Sequence, residues 1–164
     1  MVKKIKNIQN NSGFTLLEVL FTIFIIIVSI VGIYQGLSYS IKHAKEVTEQ
    51  FIANYLAGEG IEIVKNIRDT NWINGREWSS GLTGCSSGCE ADFNDSALSS
   101  YTGKYLYLDS SNYFYQYDNI SGEITPYQRK ITITANGNNE LDISVSVSWR
   151  GNTTVVKENI YNWK

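Results

Sequence analysis

Glu18 is the residue most out of place in this chain. It is a carboxylate near the start of a run, residues 16–37, that is otherwise almost continuously apolar. A charge at the centre of a membrane helix costs about 2.5–3.5 kcal/mol even on lenient scales, so something must offset it. Other candidates for chemistry are sparse. Cys85 and Cys89 sit four apart in a Gly/Ser-rich stretch. Downstream of a membrane segment they point to a small disulfide-closed loop in an oxidising compartment; two free thiols are the alternative. Such a bridge is expected to shape a surface feature and not to hold the domain together. Its spacing is wrong for a thioredoxin-like redox motif, and it offers too few ligands for zinc.

His43, the single histidine, stands beside Lys42 and reads as a solvated juxtamembrane side chain. Without a second histidine no Ser-His-Asp system elsewhere has a base. Asp92-Phe93-Asn94-Asp95-Ser96 alternates oxygen ligands, faintly like a calcium loop, but lacks the downstream bidentate glutamate. Glu59 and Glu62, one turn apart, read as a solvated helix face. No P-loop, G-x-G-x-x-G or H-E-x-x-H occurs. An enzyme, a metal site and a cofactor are all unexpected.

The elements that position Glu18 are plain. At about 1.5 Å per residue, residues 16–37 make a helix of about 33 Å, enough to cross a bilayer core. The run is too long for the apolar region of a secretory signal peptide, so it reads as a stable anchor. Lys3, Lys4 and Lys6 precede it with no acid among them, which favours a cytoplasmic N-terminus and a C-terminus outside. Lys42 and Lys45 blunt that bias beyond the far end, but Glu46 and Glu49 accompany them. A cut between Gly13 and Phe14 would create an amino group one helical turn from Glu18. The two could pair within a subunit or across neighbouring subunits, and the helix dipole also favours an acid in the first turn.

A Lys-rich leader, then Gly13-Phe14-Thr15-Leu16-Leu17-Glu18, then about twenty apolar residues, resembles the prepilin signature of type IV pilins and type II secretion pseudopilins. The resemblance covers roughly residues 1–40; beyond them it is architectural only. It implies that prepilin peptidase cuts after Gly13 and methylates the amine of Phe14. Glu18 then takes the part of the glutamate that pairs with a neighbour's N-terminus. The implied partners are prepilin peptidase, other pilin or pseudopilin subunits, an assembly platform and, before assembly, the membrane. The sole proline is Pro126, so the helix-kinking proline of many major pilins is absent, and Gly32 and Gly36 are the only loosening residues in the span.

Past the apolar run, apolar residues recur at helical spacing from Ile41 to Ile67, so the helix is expected to continue to about Arg68 with an amphipathic second half. Gly58 and Gly60 mark a bend or a tight contact with a sheet. Residues 69–103 are rich in Gly, Ser, Asn and Asp, with Trp72 and Trp78 as isolated anchors. They read as a long loop, either a recognition surface or a packing flap. Strands come next. Residues 105–109 and 112–117 look like a hairpin that concentrates Tyr105, Tyr107, Tyr113, Tyr115 and Tyr117, packed across the strands or exposed for binding. Residues 130–135, 141–149 and 153–161 complete an antiparallel meander, and 141–149 alternates strictly: one face buried, one wet.

The expected fold class is therefore α+β, a long N-terminal helix packed on an antiparallel sheet, which the resemblance also implies. The expected organisation is leader 1–13, transmembrane and assembly helix 14–39, amphipathic helix 40–68, loop region 69–103 and sheet head 104–164. Net charge is -2 and there is no polybasic arm. Lys104, Arg129, Lys130, Arg150, Lys157 and Lys164 are spread along the sheet region, which argues against nucleic acid. Loss of residues 1–13 would leave 11 basic against 16 acidic residues, a charge of -5. The expected function is a structural subunit, a minor pilin or pseudopilin: first an inner-membrane protein, then part of a pilus or pseudopilus. The alternative is a cell-surface binding module on an uncleaved anchor.

Overall fold

A computed structural model describes residues 13–117 and 122–163. The leader, apart from Gly13, lies outside the described residues. One helix, α1, runs Leu16–Ile73, and eight strands come after it. The chain divides into two units, residues 1–46 and 47–164.

In the first unit the helix leaves its apolar side chains exposed, as a segment suited to lipid or to other helices does. Three of its hydroxyls are satisfied internally: Thr22 Oγ1 donates to the Glu18 carbonyl at 2.6 Å, Ser29 to Ile25 at 2.7 Å and Ser40 to Gly36 at 2.9 Å. Each bond spares an apolar environment an unpaired hydroxyl. His43 lies exposed, 3.9 Å from the Glu46 carboxylate and stacked beside Tyr39.

In the second unit, strands β1 (Cys89–Glu90), β2 (Ser99–Ser100), β6 (Gln128–Ala135), β7 (Glu140–Trp149) and β8 (Asn152–Tyr161) form an antiparallel sheet in the order β2-β1-β6-β7-β8. Strands β3 (Tyr107–Asp109), β4 (Tyr115–Gln116) and β5 (Gly122–Ile124) form a second sheet, ordered β4-β3-β5. The fold is α+β, with two sheets where one meander was expected. β7 carries the alternation through: Leu141, Ile143, Val145, Val147 and Trp149 are buried in one core with Leu56, Ala57, Ile61 and Val64 of the helix. The β7–β8 turn is two residues, Arg150 (φ 44°) and Gly151 (φ 84°), the double positive φ that matches the twist of a hairpin.

The helix ends at Ile73, not near Arg68, and its last turns pack on the polar segment beyond it. Asn71 is buried and donates its amide to the Trp78 carbonyl (3.2 Å) and the Ser80 carbonyl (2.8 Å). Cross-links between the remaining helix and the sheet region include Lys65 to Glu158 (2.7 Å), Arg150 to Glu49 (3.4 Å), Thr154 to Asn54 (2.6 Å) and the Tyr127 hydroxyl to the Glu49 carbonyl (3.2 Å). Phe51 and Tyr55, expected on the apolar stripe, are 72% and 63% exposed. Ala53 and Gly60 take the buried positions instead, because small residues let the backbone approach the sheet.

Gly60 marks that approach. A Cβ there would stand 2.8 Å from Val145 Cγ1 and 3.2 Å from Arg129 Cδ. Gly60→Ala should lose about 1–3 kcal/mol to overpacking, against a helix-propensity gain of about 1 kcal/mol. Chemical denaturation of the full chain in detergent checks this: an unchanged or raised midpoint would mean that Val145 yields without cost.

Between Trp78 and Ala91 the segment after the helix packs as a flap. Trp78, Leu82, Cys85, Cys89 and Ala91 are all core residues. Cys85 and Cys89 are disulfide-bonded, with Cα atoms 5.4 Å apart. The bridge is no surface feature, as the Gly/Ser-rich context led one to expect. Cys89 pairs with Ile131 in the sheet, and the Cys85 carbonyl accepts from Gly88 N and Ile133 N, so both sulfurs fall inside. Glu90, also buried, accepts from the Thr102 backbone N–H (3.1 Å) and hydroxyl (2.9 Å) and pins the end of the flap.

Candidate functional site

The N-terminal site is built by a helix cap. Thr15 precedes α1, and its Oγ1 accepts the Glu18 backbone N–H at 3.3 Å. Thr15 is thus the cap and Glu18 the third helical residue, so Thr15-Leu16-Leu17-Glu18 has the spacing of a capping box, in which the acid sits where the helix start favours it. That second role of Glu18 was readable in the sequence as T-x-x-E. Phe14 lies before the cap and is 79% exposed. The helix itself starts at Leu16, two residues after Phe14. Glu18 is exposed as well.

The other candidate residues do not converge. In the Asp92–Ser96 segment the Asp92 and Asp95 carboxylates are engaged by backbone N–H groups. The Asp92 carboxylate accepts the Tyr117 N–H at 3.0 and 3.2 Å, and Asp95 Oδ2 accepts the Asp92 N–H at 2.8 Å. Asp95 thus closes a local turn, and Asp92 ties the segment to the end of β4. Among the described residues no group of three or more His, Cys, Asp or Glu side chains could hold a metal ion. The tyrosines do not face one another across the β3–β4 pair: Tyr107 stands opposite Gln116, and Tyr115 opposite Leu108. Tyr115 instead meets Tyr127 edge-on at 6.2 Å, and Tyr117 donates its hydroxyl to the Arg129 carbonyl at 3.1 Å. Burial pushes the Tyr117 phenol up to about 12, which keeps it a neutral donor.

Arg129, expected only as one of the cations spread along the sheet region, and Glu59, expected on a solvated helix face, meet at the core. Arg129 is fully buried, donating to the Ala91 carbonyl (2.7 Å) and the Leu56 carbonyl (3.3 Å), with Glu59 3.4 Å away. Glu59 is its counter-ion and no solvated face, whereas Glu62 is exposed and pairs with Lys65 at 3.1 Å. Burial raises the Glu59 carboxyl above its ordinary range, and the Arg129 charge opposes that only in part. The signal for Arg129 is its place in the two-residue period of β6, in phase with the buried Ile131 and Ile133, while Gln128 and Lys130 face the other way, half-buried.

The described residues thus hold a capped helix with one acid in its first turn, long and apolar enough to cross a membrane, on a chain of α+β class. Residues 8–34 match the prokaryotic N-terminal methylation motif, the signature of type IV pilins and pseudopilins. No curated protein and no solved structure matches the chain. The motif is that of a processed structural subunit.

Proposed function

We propose that this chain is a minor pilin or pseudopilin of a type IV pilus or a type II secretion-like filament. The observation that carries the reading is the methylation motif at residues 8–34, with its acid held in the first turn of an exposed apolar helix. In this reading prepilin peptidase cuts between Gly13 and Phe14 on the cytoplasmic face and methylates Phe14. An assembly platform then draws the subunit out of the membrane into a bundle of like helices. Apolar surface passes from lipid to helix core, so the transfer carries no large apolar penalty. Glu18 pairs with the Phe14 amine of a neighbour and sets the register. "Minor" rests on three features: no proline kink, a long polar segment after the helix, and a head that is not of low complexity. The Cys85–Cys89 bridge fits a head outside the cytoplasm.

Mass spectrometry of the protein extracted from its native membrane tests the processing step. The expected N-terminus is Phe14 carrying one extra methyl group. An intact Met1 start would overturn the reading and return the chain to a binding module on an uncleaved anchor.

A further inference from the structure

Trp163 is 72% exposed and yet held in place. Its ring centroid lies 4.9 Å from that of Trp72, with the planes 33° apart. The Arg68 guanidinium lies over both rings, 4.8 Å from Trp72 and 5.5 Å from Trp163, and is itself fixed by Asp69 at 2.8 Å. The backbone is anchored one residue earlier, where Asn162 N–H donates to the Asn139 carbonyl at 2.9 Å. The result is a broad aromatic face standing in water on a pre-ordered support, the arrangement that binds a partner at low entropic cost.

Beside it opens a cleft of about 360 Å³, lined by Trp72, Arg76, Glu77, Trp78, Asn138 and Asn162. Its polar groups are of every kind: guanidinium donors, a carboxylate acceptor and two side-chain amides that do both. A purely apolar ligand would leave this rim unpaired, an anion would meet Glu77, and a cation would meet Arg68 and Arg76. A ligand with a flat apolar face and hydroxyls that both donate and accept satisfies the rings and the rim together. β-Linked hexopyranoses have that form, because their substituents lie equatorial and their axial C–H bonds make the ring faces apolar. A folded protein partner needs a patch of roughly 800 Å² per side, more than one small cleft supplies.

We propose that the Trp72–Trp163 face and the adjoining cleft bind a β-linked hexopyranose chain, with a sugar ring stacked on Trp163 and hydroxyls bonded to Asn138, Asn162, Arg76 and Glu77. This reading is independent of filament assembly. The test titrates the full chain in detergent micelles with cellotetraose and, separately, with chitotetraose, by calorimetry and tryptophan fluorescence. Saturable binding of at least one tetrasaccharide is expected. Trp163→Ala should weaken it by more than about ten-fold, as truncation of a tryptophan anchor does. Asn138→Ala, on an exposed turn, should weaken it several-fold and serves should Trp163→Ala fail to fold. Tyr113→Ala, at an exposed aromatic in the β3–β4 connection, should leave binding unchanged. Absence of saturable binding to both sugars, or wild-type affinity in both cleft variants, overturns the proposal. So does a Trp163→Ala defect confined to incorporation into filaments, which would make the face a subunit contact.

Discussion

Chains carrying Glu18→Gln should insert into the membrane and lose their leader, yet enter filaments at least about 100-fold less often than the parent chain, the loss expected when one partner of a desolvated ion pair is removed. The glutamine is the informative substitution because Glu18 has two roles. It occupies the third position of the Thr15-capped helix, where glutamine serves as well as glutamate. It also carries the only charge in residues 16–37, and there glutamine does not replace it. Glu18→Ala removes both roles and should show the same assembly defect. Thr15→Ala, which removes the cap alone, should cost about 1 kcal/mol of helix stability and leave assembly largely intact. Counting labelled subunits in sheared filaments against the membrane pool measures all three. Normal incorporation of the glutamine variant would remove ion pairing from the mechanism and leave Glu18 as a helix cap.

Arg129→Met should be the most damaging single change in the second unit, at about 3–5 kcal/mol, because it strands a partly buried carboxylate and two carbonyls at once. Glu59, Leu56 and Ala91 each lose their guanidinium partner. The loss should depend on pH in a defined sense. Folding raises the Glu59 pKa, so the native state binds the extra proton and the contribution of Glu59 declines as pH rises through and above the carboxylate range. Without Arg129 that trend steepens. The variant should therefore approach the parent at acid pH, where Glu59 is protonated, and fall furthest behind near neutrality. Glu59→Gln in the same background should restore part of the stability at pH 7. Denaturation midpoints of the full chain in detergent across that range check both points; a pH-independent gap between Arg129→Met and the parent would show that packing of the arginine stem, and not its charge, matters.

The legible parts of this protein are those set by local pattern. The strict alternation of Leu141 to Trp149 needs only the two-residue period of a strand and one buried face, and the structure buries those five side chains. Arg150-Gly151 is a two-residue turn between apolar strands, with a glycine where φ must be positive. The Thr15 cap is legible as T-x-x-E, a spacing that local pattern alone supplies. The helix end was misplaced because Asn71, a poor helix former, is retained by two bonds to a loop that periodicity does not describe.

The N-terminal chemistry belongs to the sequence itself: Gly13, Phe14, Thr15 and Glu18 are near neighbours along the chain, so their spacing survives however the head domain packs. The period of β6 already puts Arg129 on the face of Ile131 and Ile133, but only the tertiary structure decided which acid would meet it. Arg129 and Glu59 meet because a helix and a strand distant in sequence share a core, and the same closure turns the cysteine loop inward and brings Trp72 against Trp163. Such pairings depend on partners far along the chain, and neither residue type nor local period announces them.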